Sequence, residues 1–120
     1  MPEILVELIY ARHCPNVSSA RQKLKEVLAS LSVSIIYREW DLAHSDNPDY
    51  VFQFGSPTIL IDGFDVGGLI GGEGSACCRV YIDSTGAIKG VPAVDMISRL
   101  IERRMIERED FDLEVEHCQR

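Results

Sequence analysis

The sequence predicts an α/β fold with the element order β-α-β-(α)-β-β-α, in which a central four-stranded mixed sheet carries helices on both faces. Three observations lead to this prediction. The nearly continuous apolar run Ile4 to Tyr10 is typical of a strand covered on both sides. Apolar residues then recur at helical spacing from Val17, and the β-branched and aromatic segment Val33 to Trp40 follows. A strand, a helix and a strand in this order form a βαβ unit with parallel strands.

The first helix is predicted to follow a sharp turn at Cys14 and to run to about Ser30. Pro15 fits the first turn of that helix, where its missing N–H costs no hydrogen bond. Six apolar residues form the buried stripe: Val17, Ala20, Leu24, Val27, Leu28 and Leu31. After the second strand comes a polar loop, 41–48, and a short helix that begins near Asn47-Pro48-Asp49 and ends at Gly55.

The second half of the chain is predicted to supply two strands and a final helix. Thr58 to Ile61 is the third strand, closed by a turn at Asp62-Gly63, and Arg79 to Asp83 is the fourth. The glycine-rich stretch 67–75 between them lacks the ending of a phosphate-binding loop and is expected to be a flexible flap. Pro92 opens the last helix. The tail 111–116 alternates apolar and acidic residues, which favours an edge strand or disorder.

Composition limits the classes of function that fit this chain. The formal net charge of −7 argues against nucleic acid as a partner, because phosphates require a basic surface. No apolar run has the length of a membrane span, and the N-terminus shows no secretory signal. We therefore expect a cytoplasmic protein with no membrane partner and with mostly reduced cysteines.

Cys14 is the residue with the clearest chemical meaning. A thiol at a helix N-terminus has a lowered pKa, because the unpaired amides and the helix dipole favour the thiolate. The motif Ser56-Pro57-Thr58 stands where the third strand begins. A fold that brings this helix start beside a proline-led strand edge is suited to thiol chemistry.

The arrangement resembles the thioredoxin fold over about residues 3–105. In that family the reactive cysteine ends the first strand and a cis-proline begins the third, and Cys14 and Pro57 match these positions. The resemblance implies a thioredoxin-like domain at 1–106 followed by an acidic tail at 107–120. It also implies a cis peptide bond before Pro57 and a substrate groove formed by Pro15, Asn16, Ser56 and Pro57.

The second cysteine of the thioredoxin motif is missing, since Val17 occupies its place. Cys77 and Cys78 are the candidate resolving thiols. Adjacent strand residues point to opposite faces, so Cys78 should share a face with the apolar Val80 and Ile82 and be buried, whereas Cys77 is freer to reach Cys14. The alternative is that these are ordinary buried cysteines without a chemical role. The predicted activity is thiol–disulfide exchange, with a disulfide-containing protein or a small thiol as partner.

A narrower resemblance is to small bacterial thioredoxin-like proteins labelled as related to alkylmercury lyase. It is carried by Cys14-Pro15-Asn16, by Ser56-Pro57-Thr58-Ile59 with Asp62-Gly63, and by Cys78-Arg79-x-Tyr81. It implies mercury or an organomercurial as ligand or substrate, held by Cys14 and Cys77 or Cys78, with Asp62 or Asp65 as the acid. Soft thiolates suit such a metal. No other cofactor is expected, and a non-catalytic interaction module is a third alternative.

Overall fold

A computed structural model describes residues 3–68, 80–82 and 85–118, with side chains as far as residue 107. Its elements are β1 (Glu3–Tyr10), α1 (Val17–Ala29), β2 (Ser34–Asp41), a 3-10 helix (Asp49–Gln53), β3 (Thr58–Ile61), β4 (Phe64–Asp65), β5 (Tyr81–Ile82), β6 (Ile88–Lys89) and α2 (Val94–Cys118). The predicted α/β class is confirmed.

The main sheet is mixed and four-stranded, in the order β2-β1-β3-β4. The central strand β1 is parallel to β2, with Tyr10 beside Asp41 at the end of both strands. It is antiparallel to β3, with Ile9 beside Thr58 at the start of β3. The carboxyl ends of β1 and β2 and the amino end of β3 therefore meet at one edge of the sheet. This edge carries Cys14 and the Ser56-Pro57 motif.

The two α-helices cover the same face of the sheet. Leu24 and Val27 of α1 and Ile97 and Ile101 of α2 pack with inward residues of β1 and β3 in one buried cluster, whose strand members are Ile4, Val6, Leu8, Ile59 and Ile61. Complete burial of each such side chain contributes roughly 1.5–3 kcal/mol to folding. The opposite face is covered instead by the 3-10 helix, whose Val51 packs on Ile9 and Leu60.

Glu7 is a buried carboxylate on the face that the 3-10 helix covers. Its residue is 2% exposed, although it lies within an apolar strand. The indole Nε1–H of Trp40 donates to Glu7 Oε2 at 2.8 Å, and the Tyr50 hydroxyl donates to the same oxygen. Charge-assisted hydrogen bonds of this kind offset the cost of removing a carboxylate from water. The sequence pattern indicated only an apolar strand here and gave no sign of a buried carboxylate.

The Tyr50 hydroxyl should lose its proton at a higher pH than an ordinary tyrosine does. Burial, followed by the hydrogen bond to Glu7, raises the pKa of Tyr50 to about 12. An unfolded tyrosine titrates near pH 10. The stabilisation linked to the raised pKa of Tyr50 is therefore present below about pH 10 and is lost as the pH rises towards 12. Glu7→Gln removes the negative charge and should lower the pKa of Tyr50. Ultraviolet titration of the phenolate measures this shift, and Tyr50→Phe assigns the signal. An unchanged midpoint in Glu7→Gln would show that the carboxylate does not raise the pKa of Tyr50.

The fourth strand of the main sheet differs from the prediction. Asp62 and Gly63 both have positive φ, 52° and 85°, and form the predicted two-residue turn. This turn brings Phe64–Asp65 straight back beside β3, so that these residues take the edge position. The segment predicted as the fourth strand instead contributes β5, which pairs with β6 in a separate two-stranded sheet.

Both helices have ends that differ from the prediction. α1 begins at Val17 with Asn16 as its N-cap, so Pro15 lies before the helix and not in its first turn. The reason is a tight turn in which the Cys14 N–H donates to the Ala11 carbonyl at 3.0 Å. α2 continues to Cys118, so the strand or disorder expected for the tail is wrong and the predicted boundary at residue 107 falls within this helix. An established helix gains one hydrogen bond for each residue it adds, which favours its continuation through this glutamate-rich sequence.

Candidate thiol site

Cys14 lies against the Ser56-Pro57 peptide at the common edge of β1, β2 and β3. The thiol donates to the Ser56 carbonyl oxygen, with Sγ and O separated by 3.9 Å. The Ser56–Pro57 bond is cis, as the resemblance implied. Two segments that are far apart in sequence thus meet at one sulfur atom.

Buried hydrogen bonds fix the proline loop in place. The Ser56 hydroxyl accepts the Ala11 N–H at 2.9 Å, which joins this loop to the turn that carries Cys14. The Tyr81 hydroxyl donates to the Pro57 carbonyl, and Thr58 Oγ1 donates to the Gly55 carbonyl at 2.8 Å. Because each of these bonds is buried, loss of one partner would leave a desolvated polar group. The loop is therefore a rigid wall beside the thiol.

Cys14 is less accessible than a thiol awaiting a large substrate would be. The residue is 8% exposed and packs with Ala11 and Val17, against which Tyr10 and Leu42 also lie. The structure therefore buries a thiol that the sequence predicts to be reactive. The cause is the turn between Ala11 and Cys14, which directs the side chain inwards to the Ser56 carbonyl.

The four residues predicted to form the groove differ in exposure. Ser56 and Pro57 are buried, Pro15 is exposed and Asn16 is half-buried. The Asn16 side chain lies directly on Gly90, where an added Cβ would stand 2.2 Å from Asn16 Nδ2. A side chain at position 90 would therefore displace Asn16. This close approach joins the turn after Cys14 to the segment that leads into α2.

A charged group that the sequence analysis did not identify lies at the same edge. The Arg12 guanidinium forms an ion pair with Asp41, whose side chain is 6% exposed. Arg12 Nη2 also lies 3.2 Å from His44 Nε2. The Ala43 N–H, followed by Arg12, lowers the pKa of Asp41. The available signal was topological: Arg12 follows β1 and Asp41 ends β2, and parallel neighbouring strands bring their carboxyl ends together.

The candidate partner thiols, Cys77 and Cys78, lie outside the described residues. Cys78 was predicted to be buried because it should share a face with Val80 and Ile82. That face is not the buried one, since Val80 and Ile82 are each 65% exposed. Tyr81, on the other face, is the buried residue and reaches the Pro57 carbonyl. Val80 and Ile82 do face the side opposite Tyr81, as predicted. The buried side is that of Tyr81, which the prediction had reversed.

The two acids that the lyase resemblance offered, Asp62 and Asp65, lie just before and within β4 and not at the turn that carries Cys14. Asp62 Oδ1 accepts the Leu5 N–H at 2.9 Å, near the start of β1, whereas Cys14 follows its end. Asp65 pairs with Leu60, and its Oδ1 accepts the Gly67 N–H at 2.7 Å. Asp62 therefore lies at the opposite end of β1 from Cys14, and its assignment as the proton donor is wrong.

Among the residues that the structure describes, no three His, Cys, Asp or Glu side chains are grouped so as to hold a metal ion. Within the same part of the chain, no helix has the length and apolarity needed to cross a membrane. Comparisons with protein-family models, with curated proteins and with solved structures gave no significant match.

Proposed function

We propose that this chain is a thioredoxin-like thiol protein in which Cys14 exchanges with disulfides. The observation that supports this proposal is the position of the Cys14 sulfur, 3.9 Å from the carbonyl oxygen of the cis Ser56–Pro57 peptide. The hydrogen bonds from Ala11 and Tyr81 hold this peptide still while a substrate sulfur approaches. A preorganised wall beside a nucleophile reduces the entropic cost of the reaction.

The proposed reaction consists of two successive thiol–disulfide exchange steps. The Cys14 thiolate attacks one sulfur of a substrate disulfide, a new Sγ–S bond forms, and the other substrate sulfur leaves as a thiolate that takes up a proton. A second thiolate then attacks Cys14 Sγ and releases the remaining substrate thiol. The substrate gains two electrons, and the protein gains a disulfide between Cys14 and that second cysteine. Cys77 and Cys78 are the candidates for it, and a small external thiol is the alternative.

The stoichiometry of thiol release tests this proposal. Reduced protein is mixed with an aromatic disulfide whose thiol product absorbs light, in a background in which Cys118 is replaced by serine. With the disulfide kept limiting, attack by Cys14 alone releases one thiol for each molecule of disulfide, and resolution by a second cysteine releases the other. We expect both to be released by the parent protein. The double variant Cys77→Ser/Cys78→Ser should stop after the first, and the single variants show which cysteine resolves the intermediate.

Two other results would contradict this proposal. Absence of thiol release, together with tight binding of Hg²⁺ that is lost in Cys14→Ser, would favour the mercury alternative. Absence of thiol release and of Hg²⁺ binding would favour a non-catalytic interaction module. Calorimetry with Hg²⁺ on the same variants separates these two results.

A further inference from the structure

Arg12, Asp41 and His44 form a group in which the position of one proton is fixed by geometry. A guanidinium carries only donors, so the His44 Nε2 that lies 3.2 Å from Arg12 Nη2 must accept that hydrogen bond. His44 is therefore neutral in this arrangement, with its proton on Nδ1. Asp41 Oδ1 is occupied by the Ala43 N–H, and Oδ2 binds Arg12.

Protonation of His44 is incompatible with this arrangement. A proton on Nε2 would place a second donor against Arg12 Nη2. The same Nε2 lies 3.9 Å from Asp41 Oδ2, so the charged imidazole would compete with Arg12 for that one oxygen. Both cationic side chains can move, since those of Arg12 and His44 are 67% and 54% exposed. The group as a whole changes from neutral, with one cation and one anion, to a net charge of +1.

We propose that Arg12, Asp41 and His44 are a proton-sensitive site that selects anionic disulfides for Cys14 when His44 is protonated. This inference rests on the proposed function. Arg12 stands two residues before Cys14, and Leu42, between Asp41 and His44, packs against the cluster that contains Cys14. A guanidinium released from Asp41 at this place can pair with a carboxylate on the substrate.

The charges around His44 are few in the described part of the chain. Arg12 faces it from the turn after β1, and Asp41 faces it from the end of β2. Asp46 lies two residues further along its own loop, and His13 adjoins Cys14 itself. His13 is the other histidine beside Cys14 and could imitate the effect, so His13→Gln is the matched control for His44→Gln.

A ratio of rates tests the proposal without interference from the ionisation of Cys14. In a background with Cys77, Cys78 and Cys118 replaced by serine, we compare dithiobis(nitrobenzoate), a dianion, with its uncharged bis-amide. Both reagents need the same thiolate, so the ratio of their rates cancels its population. We expect the ratio to rise about threefold on lowering the pH from about 8 to about 5.5 at low ionic strength, and less in salt.

The variants separate the roles of the three residues. His44→Gln should abolish the rise and His13→Gln should keep it. Asp41→Asn should give a raised ratio even at about pH 8, because Arg12 loses its anionic partner. A rise that persists in His44→Gln, or that disappears only in His13→Gln, would overturn the proposal.

Nuclear magnetic resonance supplies a readout that does not depend on thiol reactivity. The Arg12 Nε–H resonance should move with the same midpoint as the His44 imidazole, and this movement should be absent in His44→Gln. An Arg12 resonance that stays constant through the His44 titration would overturn the proton-sensitive pairing. Failure of both disulfides to react would contradict the proposed function instead, and the Arg12 resonance would still decide whether the pairing exists.

Discussion

Replacing Cys14 by serine should lower the rate of thiol release from an aromatic disulfide by about a hundredfold or more, since a hydroxyl at this position cannot supply the thiolate that attacks sulfur. Serine is close in size to cysteine, and its hydroxyl takes the place of the thiol beside the Ser56 carbonyl. The fold should therefore persist, and the loss should be confined to chemistry. Stopped-flow absorbance measures the rate, and chemical denaturation followed by the fluorescence of Trp40, the single tryptophan, checks the fold.

Cys118→Ser is the matched control for this prediction. Cys118 ends α2, whereas Cys14 follows β1. Replacing Cys118 should therefore leave the rate within about twofold of the parent value. If Cys14→Ser retains the parent rate while Cys118→Ser loses it, Cys14 is a structural residue and the proposed function is wrong.

Replacing Asp62 by alanine should lower the free energy of unfolding by about 3 kcal/mol, which would be the largest effect on stability of any substitution considered. The Asp62 side chain is 4% exposed, its Oδ1 accepts the Leu5 N–H, and its Oδ2 lies 3.4 Å from Arg104 Nε. Alanine would remove this carboxylate from the Leu5 N–H and from Arg104 Nε at a largely buried position, although Arg104 keeps its ion pair with Glu107. It would also adopt a φ of 52° without the local hydrogen bonding that lets aspartate tolerate this conformation.

Asp62→Asn distinguishes the charge of this side chain from its shape. Asparagine keeps an oxygen for the Leu5 N–H and also tolerates positive φ, so its cost should be only about 1 kcal/mol, from the weakened contact with Arg104. Urea denaturation of the two variants measures the difference. An equal loss in both would assign the whole effect to the ion pair with Arg104, and no loss in either would show that the turn does not depend on this side chain.

The order of the elements could be predicted from the sequence because local signals agreed with one another. The apolar run of β1, the helical stripe of α1 and the Asp62-Gly63 turn all lie where their patterns placed them. The fourth strand could not be placed in this way. Tyr81–Ile82 has a strand pattern as good as that of Phe64–Asp65, and only the geometry of the turn after Ile61 decides which pair joins the main sheet.

The site was predictable in part for a similar reason. The approach of Cys14 to the Ser56-Pro57 peptide followed from the position of each at a strand end, which the topology preserves. The burial of Cys14 depends on the turn after β1, which leaves no periodic pattern in the sequence. Asp41 and His44 were overlooked because their partner, Arg12, is about thirty residues away, and single polar residues in a loop give no spacing to interpret.

The proposed function depends on whether the protein activates the Cys14 sulfur or only encloses it. Limited labelling of Cys14 with iodoacetamide at about pH 6, in the folded protein and in the same protein unfolded in denaturant, measures this directly by peptide mass spectrometry. We predict faster labelling of the folded protein, because the proposed exchange requires a Cys14 thiolate that forms at this pH and that a reagent can reach. Slower labelling of the folded protein, as simple burial would produce, would contradict the account.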